Sequence, residues 1–236
     1  MGELRRYFGR YIWFYALVVA AFTVGALFTT EAAEAMGQLS EDRERTTVIL
    51  DPGHGGEDGG AVSCTGVHES RFNLEIGLRL NDLLHLLGHQ TVMTRREDVA
   101  VHSGGDTVVA RKASDLKNRV KLVNSTANSL LLSIHQNQFS DGRYSGAQVF
   151  YSPGAASKAL AEQTQARLIA NTDPDSRRQA KPSKGVYLME HIACPGILVE
   201  CGFLSNPREE ALLRTAEYQK KLSCILCGAL SQYMLP

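Results

Sequence analysis

The chain lacks net charge: 25 Lys and Arg stand against 25 Asp and Glu in 236 residues. The first 35 residues hold three Arg and three acidic residues, so the remaining chain is neutral as well. A neutral domain has no electrostatic footprint for nucleic acid, and polyanions are not its expected ligands. There is no internal repeat and no low-complexity tract. No Gly-x-Ser-x-Gly elbow is present, which discounts Ser133 and Ser205 as hydrolase nucleophiles. Gly53-His54-Gly55-Gly56 has no Gly-Lys-Ser/Thr after it and is not a phosphate loop. The cysteines are Cys64, Cys194, Cys201, Cys224 and Cys227, an odd number that makes no neat disulfide framework. Cys224 and Cys227 share a helical face but lack a second pair or a nearby His, so they read as small core residues. Cys201 reads as a buried thiol.

What is there begins with a targeting pattern. Arg5, Arg6 and Arg10 precede an uncharged stretch from Tyr11 to Thr30, and Glu31 and Glu34 come after it. This charge order puts the rest of the protein outside the cytoplasm. Ala33-Glu34-Ala35 resembles a cleavage site, yet the stretch is also long enough to span a bilayer. Residues 1–35 are therefore a cleaved signal or a retained membrane anchor, expected to form an apolar helix. Residues 36–45 are polar and read as a linker. The domain proper is expected over 46–236, large enough for a full hydrophobic core.

Strands and helices alternate along that domain. Thr46–Leu50 is a short apolar strand, and Asp51–His68 is a loop with six Gly. A loop of such length in a compact domain usually carries function. Glu69–Leu87 has helical spacing, with Phe72, Ile76, Leu80 and Leu84 among its apolar positions. Strand Gln90–Thr94, loop Arg95–Asp106 and a helix over about Val109–Asn124 come next. Ser129–His135 is a buried strand, and Ala147–Tyr151 alternates as an edge or antiparallel strand does. Ala155–Ala170 is helical. Residues 171–184 are polar, and Asp173-Pro174 and Lys181-Pro182 should break any element there. Val186–Leu188 and Gly196–Glu200 read as strands. Arg208–Met234 is helical with a break near Thr215. The expected class is α/β, one domain with a mostly parallel twisted sheet and helices on both faces.

A scattered quartet stands out at element ends: His54, Glu69, His135 and Glu200. Open α/β sheets build their sites there. Two His and a carboxylate are a catalytic zinc set with a fourth position left open. One Zn2+ per chain is expected on His54, Glu69 and His135, although another divalent ion could take such ligands. Glu200 is then the candidate general acid/base for amide hydrolysis. Taken alone, His54 could simply bond a turn, Glu69 could be a helix-start acid, and His135 a satisfied core His. Glu200 resists such a reading, since a carboxylate after Ile-Leu-Val costs desolvation unless paired or functional. His68 is a rival ligand, but a mixed His/carboxylate set favours Glu69. His85, His89, His102 and His191 read as surface or structural.

These motifs carry a resemblance. Leu50–Gly56, Glu69, Ser133–Asn137 and Val199–Asn206 resemble the zinc-dependent N-acetylmuramoyl-L-alanine amidases of the third type. The likeness runs from about Thr46 to the C-terminus. It implies zinc on His54, Glu69 and His135, and Glu200 as catalytic acid/base. The bond implied is the one between muramic acid and L-alanine in peptidoglycan. A narrower likeness rests on Arg177–Lys181, Val186–His191 and Cys194–Glu200. These resemble the germination-specific amidases of endospore formers, which act in spore cortex maturation before a muramic acid deacetylase helps form muramic δ-lactam. Met189-Glu190 departs from that pattern, where an apolar-basic pair is expected.

The family resemblance raises two more expectations. The short segment Phe139–Tyr151 leaves no room for an inserted plug helix, so control should lie in expression, location or an activator protein. Asn137 and Arg143 are candidate substrate contacts. The rival functions are a zinc carboxypeptidase, which needs a cation such as Arg143 or Arg95 to clamp a C-terminal carboxylate, and a non-catalytic wall-binding module, for which Glu200 would be superfluous.

Overall fold

In a computed structural model of the protein, residues 46–235 and the isolated Thr23 are described. The expected signal or anchor and the linker therefore lie outside the described residues, Thr23 apart. Among the described residues no helix is long and apolar enough to cross a membrane.

Leu130, Leu131 and Leu132 are all buried, and they explain the layering. Side chains alternate across a strand. Leu130 and Leu132 join one apolar cluster and Leu131 the other. The strand they belong to, β3 (Ser129–Asn137), is thus covered on both faces. Beside it lie β1 (Thr47–Pro52), β2 (Thr91–Met93) and β6 (Gly196–Phe203), with β4 (Gln148–Tyr151) and β5 (Lys181–Pro182) beyond. The order is β2-β1-β3-β6-β4-β5. All neighbours pair in parallel except β4, which runs antiparallel to β6.

The larger face is covered by α1 (Glu69–Leu86), α3 (Ala155–Thr172) and α6 (Ala216–Met234). Phe72, Ile76, Leu80 and Leu84 recur every four residues, so one stripe of α1 is buried against the sheet. The other face is covered by α2 (Val108–Ser125) and the short α4 (Tyr187–His191). Helix α5 (Pro207–Leu213) starts under an Asn206 cap and leads into α6, whose own cap is Thr215. That cap is the break expected near Thr215.

Four local expectations are corrected. Val186–Leu188 is not a strand; residues 187–191 form α4. Leu188 and Met189 are adjacent and both buried in the same cluster, which a strand would forbid and a helical turn allows. Lys181-Pro182 forms a two-residue edge strand, where a missing N–H is tolerated. Strands β3 and β6 run past His135 and Glu200, because Gln136, Cys201 and Phe203 remain buried. Cys227 is buried as expected, but Cys224 is exposed; all five cysteines are free. Residues 138–147, between β3 and β4, contain no helix.

Candidate active site

The chain runs from β1 outward to β2 and returns on the other side as β3. The carboxyl ends of β1 and β3 therefore flank a switch point, where open sheets leave a crevice. The loop after β1 brings His54 there, β3 brings His135, and the first residue of α1 brings Glu69. Glu69 sits where the helix dipole favours an anion. In the β3–β6 ladder His135 stands opposite Glu200.

Glu69 bridges the two histidines. Its Oε2 lies 3.2 Å from His54 Nε2, and its Oε1 lies 2.9 Å from His135 Nδ1. One donor atom from each of the three residues falls within 4.8 Å of the others, a spacing able to hold a metal ion. Three further donors fix the carboxylate: Asn73 Nδ2 and the N–H groups of Ala61 and Gln136, each at 3.1 Å. Burial alone would raise its pKa. The hydrogen bonds and charges of His135 and His54 outweigh burial and hold it far below the usual carboxylate range.

The glycines make this convergence possible. A Cβ on Gly53 would fall 2.2 Å from the His135 ring. Gly60 has φ +69°, and a Cβ there would stand 2.7 Å from both Glu69 Oε2 and His54 Cδ2. His54 itself adopts φ 60°, uncommon for a residue with a side chain.

Glu200 lines the same cavity of about 200 Å³ as His54 and His135. Its Oε2 is buried and has no hydrogen-bond partner among the described residues. Burial raises its pKa to about 7; the charge of Glu69 adds to the rise, and His135 and His54 oppose it. A carboxyl with that pKa can exchange protons near neutrality.

Residues 48–232 match the model of the N-acetylmuramoyl-L-alanine amidase family. The chain belongs to this family. It is 39% identical over 188 residues to the germination-specific N-acetylmuramoyl-L-alanine amidase of Bacillus subtilis strain 168, covering 79% of this chain and 78% of that one. Its fold is similar to that of the CwlD amidase from Clostridioides difficile, solved in complex with the GerS lipoprotein. The TM-score is 0.78 at 34% identity, covering 80% of this chain and 98% of that one. An N-acetylmuramoyl-L-alanine amidase from Clostridium difficile 630 gives a TM-score of 0.69 at 29% identity, covering 81% of this chain and 98% of that one. The activity class is thereby peptidoglycan amide hydrolysis.

The amidase fold spends two arginines on the His54 loop. Arg119 donates to the carbonyls of Pro52 (3.1 Å) and His54 (2.9 Å). Arg95 donates to Pro52, Gly53, Ser70 and Glu97 carbonyls at 2.8–3.0 Å. The Arg95 side chain is wholly buried and is not exposed for a carboxylate clamp. Arg119 also pairs with Asp51 and Asp115. Asp51 accepts from the Ser133 and Thr94 hydroxyls at 2.6 and 2.7 Å. Burial would raise the Asp51 carboxyl, but Arg119 and these hydroxyls hold it at about 2.

The candidate substrate contacts stand apart. Asn137 pairs with Phe203 past a register shift, and Arg143 is 91% exposed and bound to Asp141. Neither lines the Glu200 cavity. His68, the rival ligand, is exposed and outside the triad. At the departure from the subtype pattern, Met189 is buried and Glu190 accepts a 2.6 Å bond from Gly185 N–H. Sequence reasoning missed Asp51, Asn73 and Arg119, as well as Asp58, whose carboxylate lies 3.0 Å from His54 Nδ1. Their only signal was charge and amide in segments otherwise apolar or Gly-rich.

Proposed function

We propose that this chain is a zinc-dependent amidase that hydrolyses the bond between muramic acid and L-alanine in spore cortex peptidoglycan. The observation that carries the reading is the convergence of His54, Glu69 and His135 beside a Glu200 carboxylate oxygen without a partner. Two imidazoles and one carboxylate fit zinc in a catalytic rather than a structural site, since a fourth position stays open. When bound, the ion supplies Lewis acidity, which acidifies water and polarises a carbonyl.

The residues divide the remaining work. Glu200 takes the proton of the attacking water as its oxygen bonds to the lactyl carbonyl carbon. Glu200 then returns that proton to the nitrogen of L-alanine as the C–N bond breaks. The products are a muramic carboxylate and a free stem peptide, with no covalent enzyme intermediate. Asn137 and Arg143 contact the substrate outside the cavity.

The likeness to the germination-specific relative supports a role in muramic δ-lactam formation, in sequence with a muramic acid deacetylase. The complex of the Clostridioides difficile relative with a lipoprotein supports a protein partner for this chain, which would serve as an activator. Residues 1–35 export the protein or anchor it in the membrane, 36–45 link, and 46–236 catalyse. That layout supports a catalytic domain outside the cytoplasm, and the likeness to the germination-specific relative supports the forespore intermembrane space as its compartment. The test is product analysis on purified peptidoglycan with zinc added, wild type beside Glu200→Ala. Intact stem peptides released by wild type alone support the reading; equal release by both removes Glu200 from the mechanism.

A further inference from the structure

We propose that Asp58 is the positioning residue of the ligand His54, and that Lys112 weakens its hold. This rests on the reading of His54, Glu69 and His135 as a zinc set. The two ring nitrogens of His54 have different partners. Nε2 faces Glu69 inside the triad, and Nδ1 lies 3.0 Å from Asp58 Oδ2 outside it. An imidazole ligand offers a lone pair from one nitrogen and carries its proton on the other. A proton on Nδ1 shared with Asp58 leaves Nε2 with its lone pair turned inward. The same bond stops rotation of a ring that is 20% exposed and sits on a backbone at φ 60°.

Asp58 is itself anchored for this task. Its N–H and C=O exchange hydrogen bonds with Gly55 at 3.2 and 2.8 Å, which closes a small bridge around His54. Its Oδ1 accepts from Gly60 N–H at 3.4 Å. The carboxylate is therefore fixed to the loop that carries the ligand.

Lys112 from α2 pairs with the same carboxylate, donating a 3.4 Å hydrogen bond to Oδ1. Its Nζ lies 3.2 Å from Asp58 Oδ2, the oxygen that faces His54 Nδ1. A carboxylate behind a ligand histidine raises the basicity of that ligand. An ammonium on the same carboxylate draws charge away and lowers the effect. Asp58 and Lys112 thus act on zinc affinity with opposite signs, which a purely structural role for either does not produce.

The test is zinc affinity of the full chain, measured by competition with a chromogenic chelator, beside the Tm of the metal-free protein. Asp58→Asn and Asp58→Ala are expected to bind zinc roughly 10- to 100-fold more weakly at unchanged metal-free Tm. Asp58→Glu should recover part of the loss, and Lys112→Met should bind severalfold more tightly than wild type. His54→Ala is the control. If it loses zinc affinity while both Asp58 variants bind as wild type, the proposal is overturned and the zinc set stands. If His54→Ala binds as wild type does, the zinc reading fails and this proposal with it. Weaker binding by Lys112→Met, or losses in the Asp58 variants that only track lower metal-free Tm, would also overturn it.

Discussion

His135 on β3 and Glu200 on β6 are direct partners in a parallel ladder, so their side chains leave the same face of the sheet. The pairing puts the proposed base beside the proposed ligand by backbone hydrogen bonding, without help from a flexible loop. Rigid elements hold reacting groups more precisely than loops do. The register shift falls just after His135, so it leaves this pair in step and displaces the ladder only from Asn137 onward.

Replacing Glu200 by Gln tests the base alone. Size and shape are kept, and the proton acceptor is lost. Stem-peptide release is expected to fall by about 10²- to 10⁴-fold, the usual contribution of a positioned acid/base. Zinc content, read by elemental analysis, should match wild type. Loss of zinc together with activity would show that Glu200 belongs to the ligand set.

The pH dependence rests on the same carboxyl. Burial lifts Glu200 from 4.5 to about 7. A bound cation favours the charged form and pulls it down again. A general base works deprotonated, so kcat/KM should rise with pH along a limb whose midpoint lies between those two values. Glu200→Gln should abolish the limb. A limb that survives the substitution would belong to another group.

Much of this arrangement was legible in the sequence because each candidate residue sits at an abrupt change of pattern. His135 and Glu200 interrupt apolar runs, and Glu69 marks the switch from Gly-rich loop to helical period. The layered fold comes from the same alternation. Arg119 was harder to see. It lies in the helix among Leu116, Val120 and Val123, and only its burial against Asp51 turns a surface-like residue into part of the site frame. Asp58 sits in a Gly-rich loop without periodicity, so nothing local distinguishes it from a solvated turn acid. Val186–Leu188 misled because the short apolar run Val186–Met189 suits a strand and a helical turn alike.

The Asp51–Arg119 pair predicts acid sensitivity. The folded pKa of Asp51, about 2, lies below its ordinary 3.8. Its contribution is therefore present above the unfolded value and is lost as pH falls through the folded one. The amount is on the order of 2 kcal/mol, from the linkage of pKa shift to stability. Asp51→Asn leaves Arg119 buried without that partner and should cost about 3–5 kcal/mol in urea unfolding at neutral pH. Between pH 4 and 2, roughly the window of the linkage, the variant should lose less stability than wild type. Parallel curves would mean that another carboxylate sets the acid limb.

Metal removal should be reversible and visible in stability. Chelation should abolish stem-peptide release, and zinc should restore it. A ligand at about 100 times its Kd stabilises by about 2.7 kcal/mol, so the metal-free protein should melt several degrees lower. Glu69→Gln should lose both the zinc-dependent rise in Tm and the activity. A Tm that ignores zinc in wild type would argue against a site built on His54, Glu69 and His135.

Gly53→Ala is the sharpest steric test. The added methyl would stand 2.2 Å from the His135 ring, far inside contact distance, and that ring is held by Glu69. Either His135 leaves Glu69 or the end of β1 shifts, and both break the convergence. Zinc affinity and activity should fall together by at least about 100-fold, in line with overpacking costs near 3 kcal/mol. Far-UV circular dichroism should stay native, because the change touches a loop residue and leaves the buried apolar stripes of the sheet intact. Unchanged zinc binding in a folded Gly53→Ala protein would mean that His135 does not serve as a ligand from the position it occupies here.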